Sequence, residues 1–156
     1  MPATTPPASV MFGYERSLDD PRSWTNVLGE VPLFADLGAR HRRKVASIAR
    51  IRRFSDGAPL VKLGQVAAAL YVVLNGDVLV RRPGSPDIKL GIGAVVGELA
   101  LLDGGGRTAT VVANGEAVAL AIPASKFHTL LRKEPTIAIK IAEELARRLR
   151  VANESD

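Results

Sequence analysis

The chain has 156 residues, 47% of them hydrophobic and only 4% aromatic, enough for one domain with an aliphatic core of Val, Leu, Ile and Ala. It contains no Cys and two His, which excludes disulfides, thiolate metal sites, a Cys nucleophile and a three-His metal centre. The formal charge of +5, from 21 Lys+Arg against 16 Asp+Glu, raises the odds of an anionic partner only modestly.

Met1–Ser9, MPATTPPAS, is rich in Pro, Thr and Ala, so a disordered tail over 1–18 is expected ahead of a single domain over 19–156. It has neither the basic start nor the apolar core of a secretory signal. Pro21–Leu28 reads as a short helix with Trp24 and Leu28 on its apolar face, ended by Pro32. Trp24 is expected to be a packing anchor. Ala39–Arg53 has helical spacing at Val45, Ile48 and Ala49 and turns extended near Ile51–Phe54. Its basic run, Arg40, Arg42, Arg43, Lys44, Arg50, Arg52 and Arg53, lacks the interleaved aromatics that stack on bases, so a solvated helix face is expected. Weak contact with a membrane surface or an acidic partner is the alternative.

After the Asp56-Gly57 turn the pattern changes to short strands. Leu70–Leu74 and Asp77–Val80 flank Asn75-Gly76, and Thr108–Ala113 and Glu116–Ile122 flank Asn114-Gly115. An Asn-Gly pair supplies both positive-φ residues of a type I′ turn, so two hairpins are expected. Pro83–Pro86 is a loop. The uncharged run Gln65–Gly76 is too short to cross a bilayer, and a soluble, cytoplasmic protein without a transmembrane segment is expected. Short strands at regular spacing argue for a barrel or a double-sheet roll. Helical patterns return over Ala124–Arg132, which carries Phe127, Leu130 and Leu131, and from Thr136 to about Val151. Ile137, Ile141, Leu145 and Leu149 form one stripe of this last helix, and Glu143–Arg147 and Glu144–Arg148 are favourable pairs on its wet side.

Gly97–Val111, GELALLDGGGRTATV, concentrates the chemistry. Glu98 can accept from a hydroxyl pair. Free N–H groups at the start of Leu99–Leu102 can face an anion. Arg107 offers a planar donor fork matched to phosphate oxygens. That order suits a sugar hydroxyl and a phosphate held together. The alternative is a pair of surface charges on a β protein, and for Thr108 an ordinary strand residue.

The string resembles the phosphate-binding cassette of the cyclic nucleotide-binding domain family. With Leu33-Phe34, LYVVLNGDVLV, FHTLLRKEP and ELARRLRV, the resemblance runs from about Leu33 to Val151, and the last stretch is similar to the dimer helix of bacterial catabolite-activator regulators. It implies an α+β fold, a β-roll of the jelly-roll type flanked by N- and C-terminal helices. It implies that Glu98 binds the ribose 2′-hydroxyl, that Arg107 binds the cyclic phosphate, and that Gly97, Leu99, Ala100 and Ala109 complete the cradle. Thr108 adds a hydroxyl contact. Thr here accompanies cAMP in bacterial relatives and cGMP in some eukaryotic ones, so cAMP is the expected ligand and cGMP the alternative.

Many relatives have Pro before the Arg, where Gly106 stands here, and an aromatic before Gly-Glu, where Val95-Val96 stand. Ala152-Asn153 occupy the places of a Thr-Ser pair that touches adenine in the catabolite-activator type. The C-terminal helix is implied to be either a lid, through Arg148, Leu149 and Ala152, or a homodimer seam. No helix-turn-helix follows it, so a stand-alone receptor that signals through an effector protein or its own assembly, without specific DNA binding, is expected. A scaffold using the same roll without ligand is the competing reading. An enzyme is not expected, since no catalytic cluster, metal site or cofactor motif is present.

Overall fold

The computed structural model describes residues 18, 20–66, 68–98, 102 and 108–154. Asp20 caps helix α1 (Pro21–Gly29) by accepting from the Arg22 N–H at 2.9 Å, and Pro21 sits in the first turn, where a missing N–H costs nothing. Trp24, Val27 and Leu28 form its buried face, and the Trp24 indole donates to the Leu18 carbonyl at 2.9 Å. The helix ends at Gly29, and Pro32 opens a 3-10 turn, Pro32–Phe34, rather than ending α1. Helix α2 (Ala39–Ile48) gives way at Ala49 to strand β1 (Arg50–Phe54). Then come β2 (Pro59–Val61), β3 (Ala69–Arg81), β4 (Ile88–Leu90), β5 (Val95–Val96), β6 (Thr110–Pro123), α3 (Ala124–Lys133) and α4 (Pro135–Glu154).

The strands form one antiparallel six-stranded sheet in the order β1-β6-β3-β4, with β2 also on β6 and β5 also on β3. β3 and β6 are its spine, buried on both faces. Leu70, Val72 and Leu74 of β3 and Leu120 and Ile122 of β6 turn outward to the helices, against Leu28, Phe34, Phe127 and Ile137. Tyr71 and Val73 of β3 and Ala117, Ala119 and Ala121 of β6 fill the roll interior with Phe54, Val78 and Val111. The period-two alternation therefore sorts each strand between two cores. The expected aliphatic core gains one edge-to-face aromatic pair in each half, Phe34–Phe127 and Phe54–Tyr71, both with ring centroids 5.9 Å apart.

Neither Asn-Gly pair makes the expected hairpin. β3 runs straight through Asn75-Gly76 and β6 through Asn114-Gly115. The β3–β6 register steps from Val73↔Ala119 to Asn75↔Val118 and then to Asp77↔Asn114. These steps are bulges, in which extra residues bend and twist a long strand pair. The positive φ of Gly76 and Gly115, +81° and +79°, serves the bend and not a chain reversal. The left-handed backbone expected of each pair is found at the Gly but not at Asn75 or Asn114, and the strand partner is distant in sequence.

Arg40, Arg43, Arg50, Arg52 and Arg53 of the basic segment are exposed, and Arg42 and Lys44 are half-buried. Arg42 folds inward and donates from Nη1 to the Leu37 carbonyl at 2.7 Å. Lys44 and Arg40 reach Glu134 at 3.0 and 3.6 Å, tying α2 to the end of α3. Arg52 lies over the Phe54 ring at 5.4 Å. Among the described residues no helix is long and apolar enough to cross a membrane.

Candidate functional site

β5 pairs Val95 and Val96 with Val72 and Tyr71 of β3 and so delivers Gly97 at a fixed point on the sheet spine. Gly97 has φ +85°, a conformation that side chains rarely adopt, and the chain turns there out of the sheet. Glu98 follows with helical backbone and a side chain only 19% exposed. Thr108 is exposed in a bend. Ala109 is buried in the roll interior, and Thr110 begins β6, its hydroxyl oxygen accepting from the Leu63 N–H at 2.9 Å. Leu99, Ala100 and Arg107 lie outside the described residues, as do Gly104–Gly106.

The C-terminal helix reaches Glu98. Arg148 Nη1 donates to Glu98 Oε1, and Arg148 Nε donates to Glu144 Oε2 at 3.0 Å. The other Glu144 oxygen accepts from Arg147 Nη2 at 2.8 Å, and the same Arg147 nitrogen pairs with Asp36, in the turn after the 3-10 segment. Hydrogen bonds from Arg147 and then Arg148 hold the Glu144 carboxyl below the usual carboxylate range, against the opposing pull of burial. The Glu98 carboxylate holds the Arg148 guanidinium above its ordinary value.

Of the three residues expected over the site, Arg148 touches it, whereas Leu149 and Ala152 are exposed. Arg147 pairs with Glu144, three residues back, in place of the expected Glu143. Asp36 and the double role of Glu144 are not foreshadowed by the sequence, because a pair spanning 111 residues, as Arg147–Asp36 does, leaves no local signature. Helical geometry supplies the reason Arg148 faces inward. Eleven residues are close to three full turns, so Arg148 lies almost directly above Ile137, as Glu144 does at seven.

The cassette string thus begins at a glycine turn off β5, and its Glu98 carboxylate is held by the last helix. The model of the cyclic nucleotide-binding domain matches residues 51–134, more than half of the chain. The chain belongs to that family. The cyclic AMP receptor protein of Thermus thermophilus is 35% identical over 127 residues, covering 78% of this chain and 59% of the receptor. A cyclic nucleotide-gated potassium channel of Rhizobium etli is 34% identical over 123 residues, 79% of this chain and 34% of the channel. The N-terminal domain of a transcriptional regulator from Streptomyces coelicolor A3(2) superposes with a TM-score of 0.74 at 31% identity, covering 83% of this chain and 94% of that one. This cyclic nucleotide-binding chain thus spans between a third and three-fifths of the length of the two curated relatives.

Proposed function

We propose that the protein is a regulatory module that binds cAMP and signals through α4 to an effector protein or a second copy of itself. The observation that carries this reading is the half-buried Glu98, seated at the Gly97 turn and held by Arg148 of the last helix. Glu98 uses one oxygen for Arg148, and a carboxylate keeps further lone pairs, so it can still accept from a ribose 2′-hydroxyl. Ala109, just before β6, has no side chain beyond its β-carbon to hinder a ligand at its backbone N–H. Arg107, with the N–H groups of Leu99 and Ala100, supplies the positive counterpart of the single phosphate charge. Thr108 is exposed and free to add a hydroxyl contact.

The output follows from linkage. A ligand that prefers one position of α4 moves the helix equilibrium by its differential affinity for the two positions and by no more. Isothermal calorimetry with cAMP, cGMP and 5′-AMP tests the reading. The expected order is cAMP tightest, cGMP weaker and 5′-AMP weakest, since the open phosphate carries a second charge the cassette is not built to neutralise. Absence of heat with both cyclic nucleotides overturns it and leaves the scaffold reading.

A further inference from the structure

We infer that Arg148 is a positioning residue for Glu98 and the first link of a charge relay from the hydroxyl-reading end of the site to Asp36. The inference rests on the cyclic nucleotide reading above. Its core is one guanidinium that holds two carboxylates at once, Glu98 through Nη1 and Glu144 through Nε at 3.0 Å. The planar fork makes these two bonds rigid with respect to each other, so Glu98 cannot rotate without dragging Glu144 or breaking a bond. Both carboxylates are largely shielded, with side chains 19% and 20% exposed, and solvent weakens them less than an open surface pair.

The relay continues without a gap. Glu144 Oε1 accepts from Arg147 at 2.8 Å, and Arg147 grips Asp36. Charges alternate at every step, from Glu98 through Arg148, Glu144 and Arg147 to Asp36. The apolar anchoring of α4 does not reach this far. Ile137 and Ile141 are buried and Leu145 is half-buried, but Leu149 is exposed. Past Leu145 the inward face of the helix carries Arg148, so ion pairs take over from apolar contact in holding this end. A hydroxyl that donates to Glu98 meets a carboxylate whose orientation is already set, which lowers the ordering cost of binding. By reciprocity the bound ligand strengthens the hold of Glu98 on α4 and, through it, on the Asp36 corner.

The experiment compares wild type with Arg148→Met, Arg148→Lys and Asp36→Asn. Affinities for cAMP and 2′-deoxy-cAMP are measured by calorimetry, and hydrogen exchange is followed at 33–37 and 144–151. Arg148→Met is expected to weaken cAMP about tenfold, within the usual span of coupling energies. The 2′-deoxy analogue should be nearly unaffected, so the preference for the hydroxyl collapses. Arg148→Lys keeps the charge but has a single ammonium for two carboxylates, and it should not restore the preference. Asp36→Asn should leave cAMP affinity within about twofold, as for an exposed pair, while exchange at 33–37 stops responding to cAMP. A variant at Arg148 that binds cAMP with the wild-type hydroxyl preference overturns the inference alone. A wild-type protein that binds no cyclic nucleotide overturns the functional reading and the inference with it. The melting temperature of each variant, and the 2′-deoxy affinity that should persist, separate a lost bond from a lost fold.

Discussion

The carbonyl oxygen of Glu116 fills the space into which a side chain on Gly76 would project, with the Ala117 Cα a further 3.0 Å contact. The β3–β6 bulge closes there with backbone against backbone, and neither atom can swing away as a flexible side chain would. Gly115, across the same pair, has an equally positive φ but nothing within 4 Å of its would-be β-carbon.

The two glycines therefore separate conformation from crowding. Gly115→Ala is expected to cost about 1 kcal/mol for a left-handed alanine. Gly76→Ala adds the overlap and is expected to cost roughly 2–4 kcal/mol in total. Urea unfolding midpoints of the two variants check this. Equal losses would mean that the bulge relaxes around the new methyl group.

What the sequence discloses here is local, and what it hides is the partner. Leu70–Leu74 and Glu116–Ile122 are short apolar runs bounded by turn residues, so their strand character is plain, and the flanking helices fall within a few residues of their observed ends. The bend at Asn75-Gly76 has the same local chemistry as a hairpin turn. Only the distant β6, which pairs on both sides of it, shows that the strand continues. The stripe on α4 leaves the core at Leu149 for a geometric reason. Four-residue steps overshoot a 3.6-residue turn by about 40° each, so Leu149 lies roughly 120° around the helix from Ile137. At the site, Glu98 is legible because its cassette neighbours are contiguous. Asp36 is not, because its role depends on where Arg147 arrives in space.

Phe127 sits fully buried in the outer core, edge-to-face on Phe34 at 5.9 Å. Phe127→Ala removes both the ring volume and the aromatic pair, and a loss of about 3–5 kcal/mol is expected. Thermal and chemical unfolding measure it. The ring locks α3 to the sheet spine, so the roll interior around Phe54–Tyr71 should be the less affected half by hydrogen exchange.

Glu134 links acid stability to the basic segment. The hydrogen bond from Lys44, together with the nearby Arg40 and His41 charges, holds its carboxyl below the usual range. A carboxyl depressed on folding contributes stability that is full above its unfolded value and is lost as pH falls through the folded value. Glu134→Gln should therefore be less stable than wild type at neutral pH, and the gap should close in acid below the usual carboxylate range. Urea midpoints across a pH series check the sign. A gap that widens in acid would show that other groups govern α2–α3 docking.

Under the proposed function Arg107 serves the ligand and not the fold. Arg107→Leu removes a charge-assisted contact worth about 1.5–3 kcal/mol, so cAMP affinity should fall roughly 10- to 150-fold. The melting temperature without nucleotide should hold. Calorimetry on the variant decides it. An affinity within about twofold of wild type would move the phosphate contact elsewhere.

The exposed end of α4 gives the last expectation. Leu149 is 65% exposed although it belongs to a helix whose earlier turns are anchored by Ile137 and Ile141. Ile139 is 58% exposed on the same helix. Apolar side chains this open contribute little to the fold of one chain, so Leu149→Glu should change unfolding free energy by no more than about 0.5 kcal/mol. If α4 carries the proposed signal to a second copy, the same substitution places a charge in the shared seam. Sedimentation equilibrium with cAMP should then show dimers for wild type and monomers for Leu149→Glu, at unchanged nucleotide affinity. Monomers for both proteins would assign the output of α4 to a different partner. Dimers for both would place the self-association on another face and leave Leu149 an ordinary exposed leucine.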